Sequence, residues 1–156
     1  MRKHRQALTL YQRFPPSEAC NCEICRSYCA RPGWWNVIEA TKSLQFDFSE
    51  RIMLEIAPER TFGVLSPAFK GCEGSFALQE YAHNGCTFLQ NGLCELFGSG
   101  LQPLECRFCH HTRIGLGSQC HAALENNWKT TAGQALVERW AKKHRLWECY
   151  CRIIRF

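Results

Sequence analysis

Cys20-Asn21-Cys22-Glu23-Ile24-Cys25-Arg26-Ser27-Tyr28-Cys29 places four sulfurs within ten residues. The fold to expect depends on whether this stretch is a metal knuckle, a disulfide framework or a redox motif. Cys22 and Cys25 are three positions apart, so a tight turn can aim both at one ion. Cys29, four positions further on, can join them from the first turn of a helix. Zinc and iron–sulfur sites are both assembled from such spacings. Cys-x-x-Cys is also the thioredoxin-type redox pair, but no strand–helix–strand pattern surrounds it here. Cys20 adds a fourth sulfur, yet its Cys-x-Cys spacing splays neighbouring side chains apart, so it ranks as a reserve.

Outward from the knuckle the sulfurs recur until there are 12 in 156 residues. Cys86, Cys94, Cys106 and Cys109 form a second set, and Cys72, Cys120, Cys149 and Cys151 complete the count. Such density means disulfides in small secreted domains and metal or redox chemistry elsewhere. The opening Met-Arg-Lys-His-Arg-Gln-Ala-Leu-Thr-Leu-Tyr-Gln-Arg has too short an apolar run for a secretory signal. Nor does any apolar stretch reach the roughly 18 residues of a spanning helix. The expectation is a soluble, cytoplasmic protein with reduced thiols and no membrane partner.

With 46% hydrophobic and 21% charged residues, the chain has the composition of one ordinary globular domain. Its net charge of +5 is unevenly spread. Residues 1–16 carry Arg2, Lys3, Arg5 and Arg13 without an acid. Residues 137–156 carry Arg139, Lys142, Lys143, Arg145, Arg152 and Arg155 against Glu138 and Glu148. Basic ends can touch nucleic acid or an acidic protein, but a solvated tail and a solvated helix face are the preferred explanation.

The chain divides into a basic lead-in, residues 1–19, and one cysteine-rich domain, residues 20–156. Phe14-Pro15-Pro16-Ser17 makes an extended turn before the first sulfurs. Val37, Ile38, Ala40 and Leu44 suit a helix. A break near Phe46–Ser49 and a second helix over Ile52–Ala57, capped by Ser49, are expected to follow. A strand is possible at Thr61–Leu65. Asn91-Gly92 is a tight-turn signal that folds Cys94 back beside Cys86, and Pro103 stiffens the approach to Cys106. Ser118 is expected to cap a helix. Thr130 or Thr131 opens another, ending near Leu146, with Ala135, Leu136 and Trp140 on its apolar stripe. The expected architecture is mainly α with irregular loops, organised around a cysteine-ligated metal centre, with at most a short β-hairpin.

The second set reads Cys86-Thr-Phe88-Leu89, Gly92-Leu-Cys94-Glu-Leu96 and Pro103-Leu-Glu-Cys106-Arg107. In these motifs the chain resembles the YkgJ-type cysteine-cluster proteins, a family of zinc- or iron-chelating domains, over roughly residues 20–110. The front departs from the family's Cys-x-x-Cys-x-x-Cys-Cys pattern, since Cys29 stands alone where a cysteine pair is typical. The resemblance implies Cys22, Cys25, Cys29, Cys86, Cys94 and Cys106 as the core ligands. Cys109, Cys20, Cys72, His110 and His111 stand in reserve to complete the set. A related cluster in flagellin lysine N-methylases is thought to carry iron and sulfur, without implying methylase activity here.

The implied cofactor is a 4Fe–4S cluster or zinc. Six sulfurs exceed one tetrahedral zinc site, which tips the balance slightly toward iron. Gly115-Leu-Gly117-Ser118 lacks any phosphate-loop pattern, and neither an HExxH motif nor a dinucleotide fingerprint is present. No substrate site is legible, so whether the chain is an enzyme stays open. The first expectation is a metal-binding protein whose metal closes the fold, with a protein partner open. The alternative is a small iron–sulfur enzyme or electron-transfer protein. A zinc module binding nucleic acid through its basic ends ranks third.

Overall fold

Asn36 starts the first long element of the computed structural model, which describes residues 8–46 and 48–154. Arg2, Lys3 and Arg5 of the basic lead-in, Asp47 of the expected break and Arg155 lie outside the described residues. Helix α3 (Val37–Leu44) is closed by a capping box: Asn36 Oδ1 accepts from Glu39 N at 2.8 Å, and Glu39 Oε1 accepts from Asn36 N at 3.0 Å. The same Glu39 Oε1 accepts from Leu104 N at 3.1 Å, and Glu39 Oε2 pairs with Arg107. One buried carboxylate therefore fixes α3 to helix α4 (Leu104–Phe108), which carries Cys106. Burial raises its pKa, against the lowering pull of its donors and Arg107.

The second expected helix is instead a strand. Strand β1 (Ile52–Ile56) pairs antiparallel with β2 (Gly63–Pro67), with Leu54 opposite Leu65. A short apolar run cannot be assigned by periodicity, and here both faces are covered. Ile52 and Leu54 enter the main core, while Met53 faces the other way into a small cluster with Ala68, Phe69 and Cys72. Ser49 begins a 3₁₀ turn (Ser49–Arg51) that leads into the strand.

A second hairpin forms where Asn91-Gly92 foretold it. Strands β3 (Leu89–Gln90) and β4 (Leu93–Cys94) pair across a turn in which Asn91 and Gly92 have φ of 51° and 77°. Positive φ at both positions is what a type I′ turn requires. The fold thus holds one hairpin more than expected.

Short helices precede the knuckle (α1, Leu10–Arg13) and form it (α2, Glu23–Ser27). Helix α5 (Gly117–Trp128) begins one residue before Ser118, which falls in its first turn. Helix α6 (Thr131–Lys143) is capped by Thr130 Oγ1, which accepts from Gly133 N at 3.2 Å. It stops three residues short of Leu146. Arg145 turns left-handed at φ 60°, and the Leu146 and Arg145 amides return to Ala141 O and Lys142 O. A further helix, α7 (Trp147–Ile153), carries Cys149 and Cys151 with both thiols exposed.

The largest buried cluster is apolar and aromatic. Trp35 and Trp128 are fully buried; Trp35 Nε1 donates to Leu101 O at 2.7 Å and Trp128 Nε1 to Trp35 O at 2.8 Å. Phe88 joins them, with its ring 6.4 Å from that of Trp35. Arg51 lies 4.2 Å over Phe88 while forking onto Glu95 at 2.7 and 3.0 Å. No described helix is long and apolar enough to cross a membrane.

Candidate metal centre

The knuckle is built from the backbone outward. Cys22 sits at the N-cap of α2, where its sulfur accepts from Cys25 N at 3.4 Å. This local turn brings Cys20, Cys22 and Cys25 onto one side. The partner surface arrives from 90 residues downstream: Ser17 N and Oγ donate to Arg107 O at 2.8 and 3.0 Å. Arg113 reaches Pro15 O at 2.6 Å, and Phe14 packs edge-on against Phe108 at 5.2 Å. The Phe-Pro-Pro-Ser stretch is thereby laid along the end of α4, and His110-His111 meet the thiols.

At the meeting point Cys20, Cys25, His110 and His111 bring one donor atom each within 4.8 Å of one another. His111 Nδ1 lies 3.5 Å from Cys20 Sγ, 3.5 Å from Cys22 Sγ and 3.3 Å from Cys25 Sγ. His111 N also donates to Cys25 Sγ at 3.3 Å. His110 is buried; its Nδ1 accepts from Thr112 N at 3.1 Å, which leaves Nε2 as its donor atom toward an ion. The group is close enough to hold a metal ion. Its donor set is mixed sulfur and nitrogen, and five side chains compete for the four places of a tetrahedral ion.

Electrostatics separate the thiols. Cys22 is lowered to about 7, chiefly by the Cys25 N–H pointing at its sulfur, with His111 helping. Burial pushes Cys25 up to about 11, and the neighbouring thiols oppose a second charge. The thiolate is the nucleophile. With metal removed, iodoacetamide at neutral pH should therefore modify Cys22 first, its rate rising through a midpoint near 7. Peptide mapping reads the order. Equal labelling of Cys22 and Cys25 would contradict this assignment.

The six residues implied by the resemblance do not gather at one point. Cys22 and Cys25 face His111, whereas Cys29 turns away through a 3₁₀ turn (Tyr28–Ala30). Cys29 lines a cleft with Leu89 and Gly92 of the second hairpin. There Cys94 pairs with Leu89, whose amide donates to Cys86 O at 3.0 Å. The charges of Cys29, Cys86, Cys94 and Cys106 act on one another: burial raises Cys86 to about 11, assisted by Cys94 and Cys29. Cys106 is raised by burial, then by Cys86, Glu105 and Cys94. Among the described residues, no three of these four sulfurs crowd as tightly as the first group.

Of the reserves, Cys20, His110 and His111 belong to the first group, and Cys109 has its sulfur near Gly117. Cys72 is buried in the small cluster around Met53, away from both groups. The pairing of Cys20 and His111 was not legible because it depends on how residues 15–17 dock. The adjacency of His110-His111 to Cys109 was the one local signal.

Gly33 serves the second group by having no side chain. A Cβ there would stand 2.6 Å from Cys106 Sγ and 2.9 Å from Cys106 N. Gly33→Ala should therefore push α4 outward and change the Cys106 environment, at a cost of about 1–3 kcal/mol from overpacking. Urea unfolding and Cys106 alkylation check it. An unshifted midpoint with unchanged labelling would contradict the close packing.

The chain matches no protein-family model, no curated protein and no solved structure with which it was compared.

Proposed function

We propose that the chain is a metal-binding protein in which Cys20, Cys22 and Cys25, with His111 or His110, hold one zinc ion. That ion clamps residues 15–30 to the end of α4. The observation that carries this is the crowd around one ring nitrogen, with three sulfurs 3.3–3.5 Å from His111 Nδ1. An imidazole nitrogen has one lone pair or one proton, so hydrogen bonding can satisfy only one of them. Two ligands of a tetrahedral zinc, with bonds of about 2.3 Å to sulfur and 2.05 Å to nitrogen, stand roughly 3.6 Å apart. Mixed thiolate–imidazole donors are also an ordinary zinc set, whereas a 4Fe–4S cluster usually takes four thiolates.

Cys29, Cys86, Cys94 and Cys106 form the second half of the proposal. Their donors are thiolates only, their spacing is wider, and Phe88 and Trp34 lie near them in the chain. An iron–sulfur cluster spreads its cysteines further than a single ion does and favours an apolar shell. This division keeps all six positions that resemble the YkgJ-type set but assigns them to two centres. The role that follows is metal binding that orders the knuckle, with a redox-active cluster as the alternative.

Metal analysis of protein purified without oxygen, together with its visible spectrum, tests both halves. Zinc should be lost in Cys25→Ser and kept in Cys94→Ser, and brown colour should behave the other way round. Metal-free, colourless protein with the native fold would overturn the proposal.

A further inference from the structure

A cavity of about 690 Å³, with Cys106 and Cys109 in its wall, opens between the knuckle, the edge of β1 and helices α4 and α5. That volume is within the range of small-ligand sites. Trp34, Glu55, Glu105, His121 and Glu125 line it. We infer that His121 and Glu125 bind a divalent metal ion here, with coordination positions left open to the cavity. Its ligands are imidazole and carboxylate rather than thiolate, although Cys106 and Cys109 line the same cavity.

The argument begins with the histidine. His121 Nδ1 lies 2.8 Å from Glu105 Oε2, and Glu105 Oε1 accepts from Trp34 N at 3.1 Å. The ring also packs on Trp34, with centroids 4.2 Å apart. Ring orientation and tautomer are thus fixed from behind, as they are in metal-ligating histidines whose second nitrogen serves a carboxylate. Nε2 remains for the front.

Glu125 follows His121 by four residues on α5, so the two side chains share one helix face. Glu125 Oε1 stands 3.5 Å from His121 Nε2. That is too long for an N–H···O hydrogen bond, which needs about 2.7–3.2 Å. It is close to the separation of two ligands on one ion: bonds of about 2.1 Å at octahedral to tetrahedral angles put donors roughly 3.0–3.4 Å apart. A third carboxylate, Glu55, faces the same cavity while its Oε1 accepts from Ser66 Oγ at 2.8 Å. It adds negative potential without being required as a ligand. The remaining coordination positions face open volume, where water or an oxygen- or nitrogen-donor ligand can enter. Such openness distinguishes a reactive metal site from a closed structural one.

Manganese(II) is the probe, because imidazole and carboxylate accept it and thiolates discriminate against it. The purified 156-residue chain is titrated with manganese(II) while the free-ion paramagnetic resonance signal is followed. One equivalent per chain should bind, and Glu125→Gln should weaken it at least tenfold. His121→Gln should do the same, with zinc content and circular dichroism unchanged in both. Cys25→Ser should lose zinc yet keep manganese, which separates this inference from the thiolate proposal. No uptake by folded protein at millimolar manganese, or equal uptake in Glu125→Gln, would overturn it and leave His121 as an ion-paired side chain only.

Discussion

Cys25→Ser is expected to take zinc content from one equivalent to near zero and to release the N-terminal segment from α4. Cys25 is the strongest single choice, because its sulfur meets His111 twice: Nδ1 at 3.3 Å and the backbone amide at 3.3 Å. In structural zinc sites the binding free energy is folding free energy for whatever the ion orders. Here the ion would order residues 15–30 rather than the whole molecule, since Cys20, Cys22 and Cys25 are not among the residues of the core around Trp35 and Trp128. The variant should therefore keep its α5 and α6 helicity. Limited proteolysis should cut between residues 17 and 30 at least ten times faster than in the zinc-loaded parent, as expected when a locally opened state becomes populated. Full retention of zinc would remove Cys25 from the site. Global unfolding would mean that the ion supports more than the knuckle.

Trp35→Ala should have the opposite signature. Trp35 is fully buried, touches Phe88 and gives its indole proton to Leu101 O at 2.7 Å. Truncating a buried aromatic costs about 3–5 kcal/mol, and leaving a buried carbonyl unpaired adds roughly 1–3 kcal/mol. Against a typical total of about 5–15 kcal/mol, that is enough to unfold much of the population. Urea denaturation of the zinc-loaded protein should show a large fall in midpoint. Trp35→Phe should restore most of the packing and recover part of the loss. A change below about 1 kcal/mol in Trp35→Ala would mean that the core is not organised around this residue.

These two variants separate what was legible in the chain from what was not. Local spacing announced the knuckle, the Asn91-Gly92 hairpin and the start of α6, because each depends on residues within one turn. Ile52–Ile56 reads as helix from sequence: five residues, four of them apolar, are too few to measure a period, and only the two cores on its opposite faces make it a strand. Helix α6 ends early because Arg145 adopts a left-handed backbone, which a non-glycine side chain does not advertise.

The candidate site was half legible for the same reason. Cysteines at short spacing can be counted, but whether Cys29 turns with Cys25 or away from it depends on a single 3₁₀ turn. The histidines could not be ranked without knowing that Ser17 docks on Arg107 O. His121 carried no motif at all. Its partners, Glu105 and Trp34, come from segments 16 and 87 residues distant.

X-ray absorption at the zinc edge of the purified protein tests the central claim most directly. Four ligands mixing sulfur at about 2.3 Å with at least one imidazole nitrogen at about 2.0 Å are predicted, with the nitrogen contribution lost in His110→Ala/His111→Ala. A shell of sulfur alone, or of oxygen from loosely held ions, would contradict it.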